Sequence, residues 1–379
     1  MFDVIVCGAG PAGAVAATLL ARGGARVLMV DRAKFPRDKL CGDTINPGTL
    51  AMLGRLGLAQ RFEARALRVD GMIVTGERGV EVRGAYPAGV HGVAIVRREL
   101  DAALAEAATA AGARFEDEVL VRRALIDEGA PDARVRGIVI AGRDGRDIRV
   151  PAPIVIAADG RRSRLAFGLG LARHPTRPRR WAVGAYLEGV EGRSTFGEMH
   201  VRRGRYVGVA PLPGGITNVC VVTPDQQGLH DPRGVLARTI EGDAYLRERL
   251  RGGRMAGAPS VLGPLAVETS SAGMPGLLLA GDAAGFIDPM TGDGLRFAVR
   301  GAELAARVVL DTLGRHAIAS HTTLARLRRH EFASKWRFNR LLRSLVSASP
   351  ALRVAEAVAK HAPSWLEQTI VFAGDIRQR

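Results

Sequence analysis

The sequence predicts an α/β chain, α+β overall, in which a central parallel sheet is joined to an antiparallel sheet and followed by C-terminal helices. Three observations predict it. Short, mostly apolar and β-branched runs at 2–7, 26–30, 153–158 and 276–280 each lead into glycine or aspartate. Apolar runs without polar alternation read as strands buried on both faces, which is how a parallel sheet covered by helices looks in sequence. Residues 181–190, 195–201, 205–211 and 216–222 instead alternate or are rich in β-formers, with glycine and proline between them, as in an antiparallel sheet. From about Arg326 to Gln378 the pattern turns helical, and Pro350 and Pro363 break it into segments.

The first strand, Phe2 to Cys7, runs directly into Gly8-Ala9-Gly10-Pro11-Ala12-Gly13. The alanine-rich stretch Ala14 to Arg22 then has helical character, and the next apolar run, Arg26 to Val30, ends in Asp31. A strand, a glycine loop, a helix, a second strand and an acid about twenty residues on form the dinucleotide fingerprint of a Rossmann-type domain. The glycines differ in what they permit. Gly8 allows the tight turn, Gly10 the approach of a pyrophosphate, and Gly13 close helix–strand packing. The helix N-terminus offers free N–H groups and a positive dipole to phosphate. Asp31 is placed to accept hydrogen bonds from ribose hydroxyls.

Two further blocks select the dinucleotide. The 153–158 strand ends in Asp159-Gly160-Arg161-Arg162-Ser163. The 276–280 strand ends in Gly281-Asp282-Ala283-Ala284-Gly285, followed by Asp288-Pro289-Met290-Thr291-Gly292-Asp293-Gly294 and a helix-like stretch from Leu295 to Leu310. A carboxylate at the strand end, Asp282, suits a polyol such as a ribityl chain. The backbone of Gly292 to Leu295 opens a helix, and its N–H groups and dipole suit the negative charge of a reduced flavin.

These three blocks resemble the FAD motifs of the aromatic-hydroxylase-like flavoprotein superfamily. Phe35-Pro36-Arg37-Asp38-Lys39-Leu40-Cys41-Gly42-Asp43, followed by Asn46-Pro47, resembles its geranylgeranyl reductase-related branch. The resemblance runs from residue 1 to about residue 345. It implies a Rossmann-type FAD domain over residues 1–70, 95–175 and 265–330, an antiparallel substrate domain over 71–94 and 176–264, and a C-terminal helical region over 331–379. It also implies FAD contacts at Arg97 (or its neighbour Arg98), at Val121 as the end of an Arg114–Val121 strand beside the adenine, and at Asp159. The expected cofactor-binding set is therefore Gly8, Gly10, Pro11, Ala12, Gly13, Asp31, Arg32, Cys41, Gly42, Arg97, Val121, Asp159, Gly281, Asp282, Pro289, Gly292, Gly294 and Leu295. Cys41 is the candidate catalytic group, at the flavin face, balanced against a plain structural role. Cys7 and Cys220 read as core.

Where geranylgeranyl reductases tend to show Tyr-x-Trp-x-Phe-Pro, this chain has Tyr206, Gly208, Ala210 and Pro211. Losing both the Trp and the Phe leaves room for a bulkier substrate. It favours a monooxygenase that hydroxylates or epoxidises a hydrophobic small molecule through a flavin C4a-hydroperoxide. The alternative is a geranylgeranyl reductase-like C=C reductase or dehydrogenase of a lipid-like or polyketide substrate. A non-enzymatic FAD scaffold fits less well beside a substrate domain. With one dinucleotide fingerprint, electrons are expected from NAD(P)H bound without its own Rossmann domain, or from a separate flavin reductase.

Composition excludes other classes. The formal charge is +16 from 54 basic and 38 acidic residues, and lysine occurs only at positions 34, 39, 335 and 360. That arginine skew fits compositional bias first and attraction to anions second. No zinc-finger, RNP or basic-zipper pattern is present, so nucleic acid is not an expected partner. The three cysteines are far apart, which suits neither a zinc site nor a disulfide framework and fits a cytoplasmic location. No signal peptide or membrane span is read. Arg328, Arg329, Arg337, Arg340 and Arg343 read as a solvated helix face, ahead of a membrane-surface contact.

Overall fold

The computed structural model describes residues 1–347 apart from 78, 128–132, 143, 178, 193 and 315–319, together with Gly374. Leu277–Leu279, Ile154–Ala157, Val4–Cys7, Val27–Val30 and Arg114–Glu116 lie side by side as parallel strands. Gly273–Met274 adds an antiparallel edge, giving six strands. Because side chains alternate across a strand, each strand feeds two cores. Val4, Val6, Val27, Met29, Ile154 and Ile156 pack with residues of the helices Pro11–Arg22, Arg97–Ala110 and Gly294–Leu313. Ile5, Cys7, Leu28, Val30, Val155 and Ala157 pack against a three-stranded sheet of Val121–Asp127, Arg134–Ala141 and Asp147–Pro151. Burial on both faces is why these runs carry no polar alternation.

One strand boundary differs from expectation. The chain leaves the parallel sheet after Glu116, Glu118 takes a φ of 56°, and the Val119 amide donates to the Asp31 carbonyl at 2.8 Å. Val121 therefore opens a strand of the covering sheet, with its side chain in the core below, instead of ending a parallel strand. The left-handed turn at Glu118 redirects the chain, and residue-type periodicity does not register such a turn.

The second sheet has eight strands. Its centre runs Trp181–Glu188, Ile216–Thr223, Arg205–Pro211 and Phe196–Arg202, all antiparallel. Phe196–Arg202 then pairs in parallel with Gly71–Thr75, which joins two segments distant in sequence. One face packs under Pro232–Glu241 and Ala244–Arg249 through Val183, Leu187, Val207, Val219 and Val221. The other face looks into a cavity. His321–Ser347 forms one helix that packs on Gly294–Leu313. Pro350, Pro363 and the rest of the expected C-terminal region lie outside the described residues, except Gly374, whose carbonyl accepts from the Gly48 amide at 3.0 Å. No helix among the described residues is long and apolar enough to cross a membrane.

Candidate active site

The three fingerprint glycines meet different demands. Gly8 has a φ of 101°, and a Cβ there would overlap the Ala158 carbonyl. A Cβ on Gly13 would overlap the Gly8 carbonyl oxygen, so helix and strand could not close together. Gly10 is different: a Cβ would find nothing nearer than an Arg37 Nη2 at 3.5 Å and an Arg97 Nη2 at 4.0 Å. The protein itself does not need glycine at 10. The space beside it lies under two guanidinium groups, at the uncapped N-terminus of the helix Pro11–Arg22, where an anion is favoured. Asp31 sits behind the loop, its Oδ2 accepting from the Ala9 amide at 2.8 Å and its Oδ1 from the Ala33 amide at 2.9 Å.

Cations converge on that space. Arg97 is buried and held bidentate by Asp101, with Nε–Oδ1 2.8 Å and Nη2–Oδ2 2.9 Å, and Arg37 meets the same carboxylate at 3.0 Å. Arg98 is half-exposed and pairs with Asp38, so Arg97 is the arginine that lines the cavity. Lys39 and Arg161 join it there with Asp282. Burial, then the Arg97 charge, pull the Lys39 ammonium down, opposed by Asp282 and Asp101. Burial brings Arg161 down to about 10. Desolvated cations beside one open glycine fit a bound pyrophosphate, which would restore the charge balance that burial removes.

The Cys41 loop is fastened to the antiparallel sheet. Asn218 donates through Nδ2 to the Cys41 carbonyl at 2.8 Å and to Asp43 Oδ2. Tyr186 donates its hydroxyl to the same Oδ2 at 2.9 Å, and the Arg97 amide donates to Asp43 Oδ1 at 3.1 Å. Asp43 is a non-glycine residue at φ 53°, a conformation these bonds hold in place. Burial pushes its carboxyl up to about 6, against the pull of Tyr186 and Asn218. Cys41 lines the cavity together with Arg97, near enough to that guanidinium to interact with it electrostatically. Cys7 is core, its thiol raised by burial. Cys220 packs against core residues of its sheet, as read, and also lines the cavity, toward which that face of the strand turns.

The loop after Asp282 is fastened from two sides. Tyr206 donates its hydroxyl to Asp288 Oδ1 at 2.6 Å, and Arg180 meets Asp288 Oδ2 at 3.1 Å. Lys335 reaches Asp293 at 3.2 Å, and Arg328 donates to the Ala284 carbonyl at 2.9 Å. Arg328 thus departs from the solvated face expected of it. It is 5% exposed, and burial brings its guanidinium down to about 10. Arg329, Arg337 and Arg340 do face solvent.

A cavity of about 350 Å³ joins these parts, within the range of small-molecule sites. It is lined by Gly10, Pro11, Ala12, Cys41, Gly42, Arg97, Gly281, Asp282, Pro289, Gly292, Gly294 and Leu295 from the expected set. Gly8, Gly13, Asp31 and Asp159 stand behind the lining. Asp159 accepts from the Arg164 amide at 2.9 Å and carries a carboxyl raised by burial. Arg32 is exposed, and Val121 lies in the core under the sheet, so neither lines the cavity. His200 is buried on the far face of the antiparallel sheet, between Thr75 and Glu198. His91 sits near the surface against Glu63 at 3.5 Å.

Sequence reasoning placed Arg37, Lys39, Asp43 and Arg161 within motifs but gave them no role of their own, and it missed Tyr186 and Asn218. Lysine usage held a signal: in a chain with four lysines, Lys39 and Lys335 are both placed at this site. Tyr186 and Asn218 carry none, because their partners are 143 and 175 residues away.

Comparison with known proteins agrees with this geometry. A family model described as an FAD binding domain matches residues 1–221. A menaquinone reductase of Mycobacterium tuberculosis is 31% identical over 325 residues, covering 81% of this chain and 76% of the relative. A digeranylgeranylglycerophospholipid reductase of Methanopyrus kandleri is 31% identical over 331 residues, covering 82% and 78%. Among solved structures, a flavoprotein/dehydrogenase from Cytophaga hutchinsonii superposes with a TM-score of 0.83 at 20% identity, covering 98% of this chain and 92% of that one. The flavin-dependent halogenase CmlS gives a TM-score of 0.77 at 23% identity, covering 89% and 62%. At those identities the structures speak for the fold alone. The glycine loops, the buried cations and the relatives together make this chain a member of the FAD-binding-domain family of flavoproteins, in its geranylgeranyl reductase-related branch, and an FAD-dependent oxidoreductase.

Proposed function

We propose that the enzyme reduces a C=C bond of an apolar, isoprenoid-type substrate. The observation that carries this reading is the position of Cys41, on the wall of a cavity that Arg97 and apolar residues of the antiparallel sheet also line. Two relatives named as reductases, each similar over about four-fifths of the chain, support it over the oxygenation that the altered aromatic motif favours.

The residues divide the work. Gly10, Arg37, Arg97, Lys39 and Arg161 would hold the pyrophosphate of FAD, Asp282 the ribityl chain, and the Gly292–Leu295 backbone the flavin. When bound and reduced, by NAD(P)H or a separate reductase, that group would supply hydride chemistry here. Reducing an alkene also needs a proton on the second carbon. Cys41 Sγ would give that proton, to be replaced from solvent. Met72, Val74, Met199, Val201 and Leu265 keep water from the reacting bond.

The test is turnover of reduced holoprotein with a geranylgeranylated lipid, with oxygen present and absent, read by product mass. Gain of two hydrogens without oxygen is expected. Gain of one oxygen atom, only in air, would establish oxygenation instead.

A further inference from the structure

Serine, aspartate and asparagine at the start of a helix normally turn their side chains back to accept from the first-turn amides. In this chain Asn46 accepts from the Thr49 amide at 2.9 Å, Ser163 from Ala166 at 3.0 Å, Asp231 from Gly234 at 2.9 Å and Asp243 from Tyr245 at 3.0 Å. Asp293 stands at the same place before the helix Gly294–Leu313 and caps nothing. Among the described residues it is the one such side chain at an α-helix start that does not cap. The other four take non-helical backbone. Asp293 is already helical, at φ -76° and ψ -3°, directly after the left-handed Gly292 at φ 68°. Gly292, Gly294 and Leu295 of that helix start line the cavity.

The Asp293 carboxylate is held elsewhere. Its Oδ1 meets the Lys335 ammonium at 3.2 Å, and the two side chains are 1% and 3% exposed. Its Oδ2 is buried with no hydrogen-bond partner among the described residues. The helix His321–Ser347 carries Lys335 to this point through contacts one turn earlier. Phe332 packs edge-on against Phe297 at 5.1 Å, and Glu331 meets Arg296 at 3.3 Å. Burial raises the Asp293 carboxyl, opposed first by the Lys335 charge. A buried ion pair seldom stabilises a fold more than an apolar pair of the same size, so stability alone does not account for this one. Its effect is local. The first-turn amides of Gly294–Leu313 keep no side-chain acceptor, and the carboxylate beside them is balanced by a cation.

We infer that Lys335 is a positioning residue for the flavin: it holds the Asp293 carboxylate off the helix start and balances its charge, which leaves those amides and the helix dipole to the negative charge of a reduced flavin. Lys335 does not line the cavity and acts through Asp293. This rests on placing the flavin at that helix start. It is independent of whether the substrate gains hydrogen or oxygen, because the flavin potential is measured without substrate.

The experiment measures the two-electron midpoint potential of FAD-loaded wild type, Lys335→Met, Asp293→Leu and the double variant. Lys335→Met leaves the carboxylate unbalanced and free to turn to the amides. Reduced flavin should then bind about tenfold more weakly relative to oxidised flavin, a fall of about 30 mV. Asp293→Leu removes the carboxylate and should raise the potential. The double variant replaces both charges with apolar groups of similar size and should return to within about threefold, or about 14 mV, of wild type. A role confined to holding the loop would shift all three variants in one direction. That result, or an unchanged potential in Lys335→Met, would overturn the inference. If Lys335→Met does not fold or load flavin, Asp293→Leu decides the matter: a rise supports the role of the pair, and a fall or no change rejects it.

Discussion

The two walls of the cavity follow different rules. On the parallel-sheet side, Gly8 and Gly13 are fixed by the backbone: any side chain would strike the neighbouring main chain. On the antiparallel side, Gly208 is fixed by nothing in the protein. One wall is set by main-chain packing, and the other holds a glycine that no contact within the protein requires. Gly10 is like Gly208 in this, although it sits between Gly8 and Gly13 in sequence. That difference yields predictions of graded size.

The largest effect is expected at Gly13. Gly13→Val should cost about 3 kcal/mol or more in unfolding free energy, seen as a large fall in the denaturant midpoint. Gly10→Val should leave that midpoint near wild type while weakening FAD binding about 100-fold, or roughly 2.7 kcal/mol, read by flavin titration of the apoprotein. Equal stability losses at the two glycines would erase the distinction between them. Cys41→Ser should keep its flavin and lose about 100-fold in single-turnover rate. An unchanged rate would assign the thiol a structural role only.

Asp43 gives a pH signature. Its carboxyl titrates near 6 in the fold against 3.8 in the unfolded chain, so the folded state holds the proton more tightly. This group's contribution is therefore favourable at low pH and is lost as pH rises from about 4 to about 6. Relative to Asp43→Asn, wild type should lose on the order of 2–3 kcal/mol across that window. A constant difference would show that the carboxyl is not buried as described. The smallest effect is expected for Asn218→Ala, about 1–2 kcal/mol, from one lost donor to Asp43 and to the Cys41 carbonyl. It should also speed alkylation of Cys41 in the holoprotein by freeing its loop.

The same contrast explains what could be read from residues alone. Gly10, Gly281, Asp282, Gly292, Gly294 and Leu295 were legible as parts of one cavity wall because glycines at strand ends and helix starts announce open backbone locally. The parallel strands were legible because burial on both faces leaves a plain apolar run. The Val121 strand was misplaced because a single left-handed residue, Glu118, ends the preceding one. Arg328 looked like one more arginine in a charged run, and only packing against Phe332 and the Ala284 carbonyl distinguishes it from Arg329. Asp43 stands in the 35–43 motif, but its meeting with Tyr186 and Asn218 is tertiary and has no local pattern to disclose it.

The most direct test of the account is electron density for the FAD-loaded enzyme with a geranylgeranylated lipid bound. The pyrophosphate should lie over Gly10 between Arg37 and Arg97, the flavin ring between Gly292–Leu295 and Cys41, and the lipid tail along the antiparallel sheet. A pyrophosphate bound away from Gly10, or a lipid bound outside this cavity, would contradict it.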